Sequence, residues 1–406
     1  MTSTMRPIRK TIALDEARGL MLDAAQPIER IERVALHQAD GRVLAAAPTA
    51  PADVPPFDRA AMDGYAVRAE DTFGAGRDEP RTLRRVDTVF TGQTPSRPVA
   101  PGECIEIATG APLPDGANAV VMVEETDRRG SDEVLVFTPV YPRQNVGRRG
   151  ADIAAGQTVL NAGDLLTPAR IGALAACGTA TVDVYAKPRV AILSTGNEIV
   201  EPGRPLGPAQ IYDINRYTLT AIVAAHGGTP VPLPTAADTL DDLSTAIDRA
   251  LEHDVLVFSG GSSVGERDLI LDAIGRRGEI VFHGIAVKPG KPTAFGRIDG
   301  KPVIGMPGYP TSCLSNGYIL IVPMLRRIAR LPPHRPATIR VPLAKRVVST
   351  TGRHQFYTVR VEDGMAVPAF KASGDITSMA LADGYIEIPT DVDIVESGEL
   401  VNVVLF

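Results

Sequence analysis

The pattern of hydrophobic and polar positions changes character several times along the chain. Residues 12–25 carry an apolar stripe at helical spacing, which predicts an amphipathic helix. Short apolar runs between turn signals follow, up to about residue 144, and are typical of a small β-rich module. From residue 188 onward, strand-length apolar runs alternate with helical patterns, which predicts a doubly wound α/β domain. After residue 332, alternating runs such as FYTVRVE predict a small β-barrel or sandwich with no convincing helix.

These changes predict a multidomain chain of the α/β plus β class, because 406 residues are more than a single hydrophobic core ordinarily accommodates. Residues 1–47 and 145–186 form the first predicted domain, and residues 48–144 form a β-rich domain inserted into it. Residues 187–332 form the doubly wound, three-layer α/β domain. Residues 333–406 form the C-terminal β-barrel domain.

Local signals predict where some of the helices begin and bend. Thr167 as N-cap and Pro168 at the first position predict a helix start. Asn215 is predicted to cap a helix of the α/β domain. A helix over residues 310–330 is expected to kink at Pro323.

The stretch DVLVFSGGSSVGERD, residues 254–268, combines a strand, a glycine loop and carboxylates. Its apolar run suits a strand buried on both faces of a parallel sheet. The loop leads into a helix N-terminus, which favours an anion such as phosphate. Because Glu266 and Asp268 add negative charge there, a divalent cation is expected between them and the anion. The pattern therefore predicts a site for phosphate and magnesium.

Two similar loops, STGNE at 194–198 and MPGYPTS at 306–312, also follow predicted strands. Glycine-rich loops form ordinary turns as well, so a single loop is weak support for a site. Loops that follow successive parallel strands meet at one sheet edge, however, and we expect a shared binding cleft there. Neither G-x-G-x-x-G nor a P-loop motif is present, so neither of those nucleotide sites is indicated.

Other segments have candidate residues whose local signal is ambiguous. KPGKP presents Lys288 and Lys291 on a proline-stiffened loop, which suits a phosphate or oxyanion but also an ordinary exposed turn. Asp58 and Asp63, in PPFDRAAMDGYA, are either ligands or turn and helix caps. Thr109, in ATGAPLP, either caps a turn or binds a ligand.

Composition narrows the classes of partner. A formal charge of -6 provides no basic surface for nucleic acid or anionic membrane. No apolar stretch is long enough for a membrane span, and no signal peptide is indicated. The 3 cysteines are far apart, which suits a reducing cytosol. We therefore expect a soluble cytoplasmic protein with small-molecule ligands and no nucleic-acid or membrane partner.

In their order along the chain, these motifs resemble those of the MoeA/gephyrin E-domain family. The segments are PPFDRAAMDGYAVR, IATGAPLP, STGNE, IYDINRYTL, SGGSSVGERD, VKPGKP, MPGYPTS and SGDITSM, and they span essentially the whole chain. The resemblance implies a transferase that converts adenylylated molybdopterin and molybdate into molybdenum cofactor and AMP, with a divalent cation, usually Mg²⁺. It also implies a homodimer, in which the first domain serves dimerisation and the α/β domain of one subunit faces the second domain of the other.

The resemblance implies roles for individual residues. Asp268 would hold the cation and support pyrophosphate cleavage, with Glu198 as a second metal ligand in the same pocket. Asp63 would reach in from the partner subunit, and Lys288 and Lys291 would bind phosphates or molybdate. These are the expected catalytic residues. The remaining implied substrate-binding residues are Thr109, Asp238, Gly260, Gly261, Ser262, Ser263, Gly265, Pro307, Gly308, Pro310 and Ser312.

The chain departs from the family pattern at Tyr309, Ala151 and Gly284, which bears on oxyanion choice and rate more than on reaction class. Two other functions stay open. An adenylyltransferase that loads molybdopterin with AMP would have a different glycine loop and no need of the first 186 residues. A non-catalytic, gephyrin-like scaffold would not need intact acidic and lysine positions. Composition does not distinguish molybdate from tungstate.

Overall fold

The computed structural model describes residues 10–236, 239–260 and 269–406. The chain forms two compact units, one made of Met1–Glu32 and Tyr185–Phe406 and the other of Arg33–Val184. Among the described residues, no helix combines the length and the apolar character needed to cross a bilayer.

The first unit is built around a six-stranded mixed sheet. In spatial order its strands are Thr229–Pro232, Arg189–Ser194, Val255–Ser259, Lys301–Met306, Ala294–Ile298 and Gly278–His283. The first four strands are mutually parallel, and the last two complete the sheet in antiparallel pairing. The helices of this unit are Leu14–Ala24, Asn215–Ala225, Leu240–Ala250, Leu269–Arg277, Pro310–Asn316, Val322–Ile328 and Thr377–Ala380.

The central strand Val255–Ser259 is buried along its whole length, as its continuous apolar run predicts. Val255 and Val257 join one hydrophobic cluster and Leu256 and Phe258 join another, so the sheet is covered on both faces. This is the doubly wound arrangement, and the predicted fold class, multidomain α/β plus β, is confirmed.

A second sheet of the first unit is built mainly from strands of the last seventy residues. Its strands, in order, are Val287–Lys288, His354–Glu362, Gly384–Ile388, Leu400–Leu405 and Thr338–Pro342, with Met365–Pro368 paired to His354–Glu362. Short two-residue pairs are Ile199–Val200 with Ile211–Tyr212 and Val347–Val348 with Ile394–Val395. The strand Val287–Lys288 pairs in parallel with His354–Glu362, so the first lysine of KPGKP belongs to the C-terminal sheet.

The second unit contains another six-stranded sheet. Its strands, in order, are Ala119–Met122, Gly64–Val67, Glu103–Ile107, Arg81–Val89, Glu133–Val136 and Thr126–Arg129. Its remaining regular elements include the paired strands Arg59–Ala60 and Val146–Gly147 and the helix Pro168–Ala176. The Thr167 side chain accepts a hydrogen bond from the Arg170 N–H at the start of that helix, as predicted.

The helix predicted over residues 310–330 is interrupted before Pro323. The irregularity is a π-helical segment, Gly317–Ile321, which lies between the helices Pro310–Asn316 and Val322–Ile328. Because Pro323 has no N–H to donate to the carbonyl of residue 319, the regular hydrogen-bond pattern is interrupted before the proline rather than at it. Residues 333–406, in which the sequence pattern shows no convincing helix, contain one helical turn, Thr377–Ala380.

Candidate active site

Three strands of the large sheet end at the same level and send their loops to one edge. Ser194 is the register partner of Ser259, and Ser259 that of Met306. Gly260 has a φ of +111°, and a Cβ there would lie 2.2 Å from the Thr195 carbonyl oxygen, so only glycine allows the first two loops to touch. The third loop lies against the second, since a Cβ on Gly308 would be 3.9 Å from the Gly260 Cα.

A pocket of about 940 Å³ opens at this edge, within the first unit. The residues implicated by the sequence that line it are Glu198, Gly260, Lys288, Lys291, Pro307, Gly308, Pro310 and Ser312. Its wall is completed by residues of the C-terminal part of the chain, among them Arg353, Ser373 and Gly374. Parallel α/β sheets bind ligands at the carboxyl ends of their strands, and this pocket has that position.

The lysine loop (residues 288–292) is held in place by contacts on two sides. Lys288 Nζ donates a hydrogen bond of 2.7 Å to Thr350 Oγ1. Asn316 Nδ2, which is fully buried, donates to the Gly290 carbonyl (2.8 Å) and to Thr293 Oγ1 (2.6 Å). Gly290 has a φ of +101°, and a Cβ there would lie 2.3 Å from Asn316 Nδ2. The loop is therefore a fixed support for its two ammonium groups rather than a free turn.

The helix Asn215–Ala225 begins at the pocket, but Asn215 is not its cap. Asp213 Oδ1 accepts the Arg216 N–H at 3.0 Å and caps the helix instead. The Asn215 side chain turns the other way, where Nδ2 donates to Ser259 Oγ (2.7 Å) and to the Gly308 carbonyl (2.9 Å). Asn215 therefore ties the second and third loops together, and the predicted capping role is corrected.

The pocket contains charges of both signs. Lys288, Lys291 and Arg353 are its cations, and Glu198 and Asp213 are its carboxylates among the described residues. Within the same residues, no group of three or more His, Cys, Asp and Glu side chains could hold a metal ion by itself. Mg²⁺ commonly uses one or two carboxylates together with substrate phosphates and water, so the donor set fits such a shared site better than an all-protein cage.

Cys313 lies beneath the pocket in the helix Pro310–Asn316 and is fully buried. Burial raises the pKa of its thiol to about 12. The thiolate is the reactive form of cysteine, so this side chain acts as a small apolar core residue and not as a nucleophile.

Asp63 and Thr109 meet in the second unit, although 46 positions separate them. Asp63 Oδ1 accepts hydrogen bonds from the Thr109 N–H (2.6 Å) and from Thr109 Oγ1 (2.9 Å). These bonds, the backbone N–H first, hold the pKa of the exposed Asp63 carboxyl below its usual range. Asp58 instead binds Arg143 Nη1 (2.8 Å) and the Arg149 N–H (2.8 Å), which is a structural role.

The predictions for Asp238, Gly261, Ser262, Ser263, Gly265 and Asp268 fall on residues outside the described ones.

Sequence reasoning missed several pocket residues, notably Asp213, Asn215 and Arg353. The first two stand in the motif IYDINRYTL, whose Asp and Asn are both ordinary cap residues, so the pattern did not reveal which side chain faces a ligand. Arg353 follows the turn signal Thr351-Gly352, and a cation beside a turn is the one sequence feature that could have suggested a binding role for it.

Comparison with known families covers nearly all of the chain. The family described as MoeA N-terminal region (domain I and II) matches residues 12–178. The family described as probable molybdopterin binding domain matches residues 191–327, and the MoeA C-terminal region (domain IV) matches residues 340–406.

Individual relatives agree with this match. The chain is 38% identical over 395 residues to molybdopterin molybdenumtransferase 2 of Mycobacterium tuberculosis, which covers 94% of this chain and 96% of the relative. It is 32% identical over 401 residues to the Haemophilus influenzae molybdopterin molybdenumtransferase, covering 97% and 98%. The crystal structure of the molybdopterin biosynthesis MoeA protein from Pyrococcus horikosii superposes with a TM-score of 0.83 at 41% identity, covering 98% and 99%.

Proposed function

This chain belongs to the MoeA family of molybdopterin molybdenumtransferases, and on that premise we propose that its pocket joins molybdate to adenylylated molybdopterin and releases AMP. The observation that carries the proposal is the gathering of Glu198, Gly260, Lys288 and Ser312 from separate loops around one pocket. A binding site at the carboxyl edge of a parallel sheet suits a nucleotide-containing substrate.

The lysines supply the attraction for the oxyanion and the substrate phosphates. Lys288 is fixed by Thr350, and Lys291 lies on the same supported loop. Holding molybdate beside the bound pterin lowers the entropic cost of bringing the reactants together, so insertion and AMP release are coupled by proximity. Arg353 adds a third cation to the wall.

We propose Glu198, together with Asp268, as the residues that would hold Mg²⁺ against the phosphates. When bound, the cation would supply Lewis-acid stabilisation of charge as the phosphoanhydride opens. Gly260 contributes by its lack of a side chain, since its backbone lies in contact distance of the neighbouring loops and leaves room for a phosphate.

We further propose that the protein works in the cytoplasm as a homodimer, with the partner subunit's Asp63 and the partner subunit's Thr109 completing each pocket. Cys104, Cys177 and Cys313 are free and buried, which suits a reducing compartment. The Asp63 carboxyl is exposed and therefore accessible to a ligand, and the hydrogen bonds from Thr109 lower its pKa and so favour its charged form.

The test combines the purified protein with adenylylated molybdopterin, molybdate and Mg²⁺ and measures AMP together with activation of an apo-molybdoenzyme. We expect AMP release to need all components and to disappear in Asp268→Asn, which should still bind nucleotide. Asp241→Asn, on the exposed start of a neighbouring helix, is the matched control. Adenylylated pterin formed from ATP and molybdopterin without molybdate would instead make the protein an adenylyltransferase.

A further inference from the structure

Beside the lysine loop, the pocket contains a second group of polar side chains that the proposed chemistry does not use. Ser194, Thr195, Asp213 and Asn215 all line it and are only 2%, 5%, 4% and 7% exposed. Each has a buried oxygen without a hydrogen-bond partner among the described residues. Buried polar atoms are nearly always paired in folded proteins, so such a concentration in one pocket indicates a ligand.

The orientation of the Asn215 amide is fixed by its neighbours. The Gly308 carbonyl can only accept a hydrogen bond, so the amide nitrogen must face it, and the same nitrogen donates to Ser259 Oγ. The atom left over is Oδ1, which is buried and can only accept. This residue therefore offers an acceptor and no donor to whatever binds beside it.

Asp213 contributes a second acceptor. Its Oδ1 is used by the Arg216 N–H, whereas Oδ2 has no hydrogen-bond partner among the described residues. Arg216 Nε lies 3.2 Å from Oδ2 and offsets the charge, but its N–H is not directed at the oxygen. The carboxylate thus keeps the capacity to accept a strong, charge-assisted hydrogen bond.

Apolar surface lies next to these acceptors. Leu206, Ile211 and Tyr212 line the same pocket and are 44%, 57% and 41% exposed, so their apolar surface is open to a ligand. Flat ring systems bind where apolar side chains cover their faces and a few polar atoms meet their edge. The group that fits here is therefore a heterocycle whose edge presents hydrogen-bond donors.

We propose that Asp213 and Asn215, assisted by the Ser194 and Thr195 hydroxyls, form the subsite for the pterin ring of the substrate. The proposal rests on the proposed function, which supplies both a pterin and an adenine as candidates. The amino-lactam edge of a pterin has two adjacent N–H donors, and Asp213 and Asn215 offer two acceptors to one pocket. The corresponding edge of adenine places an acceptor nitrogen beside its amino group, so it would set one acceptor against another.

The test compares binding of molybdopterin alone and of AMP alone to the full-length protein by isothermal titration calorimetry. Asp213→Asn keeps a capping oxygen for the Arg216 N–H but replaces the second acceptor with a donor. We expect the dissociation constant for molybdopterin to rise at least about tenfold, as for loss of a charge-assisted hydrogen bond, with that for AMP within about twofold. Asp241→Asn, on the exposed first turn of the helix Leu240–Ala250, should change neither.

Ser194→Ala is the second variant, because it removes a hydroxyl that has no hydrogen-bond partner among the described residues and leaves the helix cap intact. It should weaken molybdopterin binding in the same direction by about threefold, the size of a neutral hydrogen bond. Loss of AMP affinity with molybdopterin affinity intact would assign the subsite to the nucleotide ribose and overturn the proposal. Unchanged affinity for both ligands in both variants would also overturn it. Failure of the wild-type protein to release AMP is a separate result and would overturn the proposed function instead.

Discussion

Gly290 is a position where the structure sharply limits substitution, and Gly290→Ala tests this. Its backbone has a φ of +101°, where an alanine costs about 1–2 kcal/mol. The new Cβ would also lie 2.3 Å from Asn316 Nδ2, so the amide must leave its place. That movement breaks its buried hydrogen bonds to the Gly290 carbonyl and Thr293 Oγ1, each worth about 1 kcal/mol. The expected total is about 3–4 kcal/mol.

Two alanine substitutions in the same unit separate these contributions. Gly300→Ala, at a φ of +76° with no atom within 4 Å, should show the backbone cost alone, about 1–2 kcal/mol. Gly19→Ala, inside the helix Leu14–Ala24 and equally unobstructed, should stabilise by about 0.5–1 kcal/mol. The chain has no tryptophan, so urea unfolding is followed by far-UV circular dichroism. Hydrogen exchange of peptides from residues 284–316 reports the local opening.

A double mutant tests whether the Asn316 side chain is the source of the steric cost at Gly290. Asn316→Ala removes the side chain that the new Cβ would strike, so Gly290→Ala should cost less in that background than in the wild type. If Gly290→Ala is no more destabilising than Gly300→Ala, or if the two changes at 290 and 316 are simply additive, then the Asn316 side chain is not what holds the lysine loop in place.

Three further outcomes are expected. Thr350→Val, which removes the hydroxyl that fixes Lys288, should raise the KM for molybdate about tenfold, whereas Thr350→Ser should not; equal KM values for both variants would contradict this. Thr109→Val should raise the pKa of Asp63 toward its usual value, as followed by carbon NMR titration, because one of two donors to the carboxylate is lost. The stabilisation linked to this carboxylate is present above its unfolded pKa and is lost as pH falls through the lower folded pKa, so the variant should be less sensitive to acid in that range; an unchanged pKa would refute the assignment. Mixing inactive Asp63→Asn and Lys288→Ala subunits should restore about a quarter of wild-type activity if each site takes one residue from each copy, since about half the dimers are mixed and each has one intact site; no recovery would refute a shared site.

Sequence patterns were sufficient to predict the parts of this fold that depend on the periodicity of apolar residues. The buried run at Val255–Ser259 required a parallel, two-sided strand, and loops after parallel strands must share an edge. This reasoning brought Glu198, Gly260 and Ser312 to one pocket without any knowledge of side-chain positions.

The role of Asn215 and the geometry of the lysine loop could not be predicted from the sequence, because both depend on contacts between residues that are far apart in the chain. Asp213 and Asn215 are equally good caps, and only the proximity of Ser259 and the Gly308 carbonyl decides that Asn215 faces away from its helix. The lysine loop has the composition of an ordinary turn. Its fixed geometry comes from Asn316, 26 residues away, whose amide fills the space that a side chain at Gly290 would need.

The two-residue strand Val287–Lys288 places a charged pocket residue in the C-terminal sheet. The three pocket loops, by contrast, extend from strands of the large sheet that end at Ser194, Ser259 and Met306. Lys288 therefore lies on a strand that is paired with His354–Glu362. The hydroxyl that accepts its hydrogen bond belongs to Thr350, which shortly precedes that strand in the chain. The C-terminal part of the chain therefore supplies part of the positive charge of a pocket whose loops extend from the large sheet. Substitutions that disturb the packing of His354–Glu362 should reach the pocket through Lys288, although they lie outside the α/β sheet.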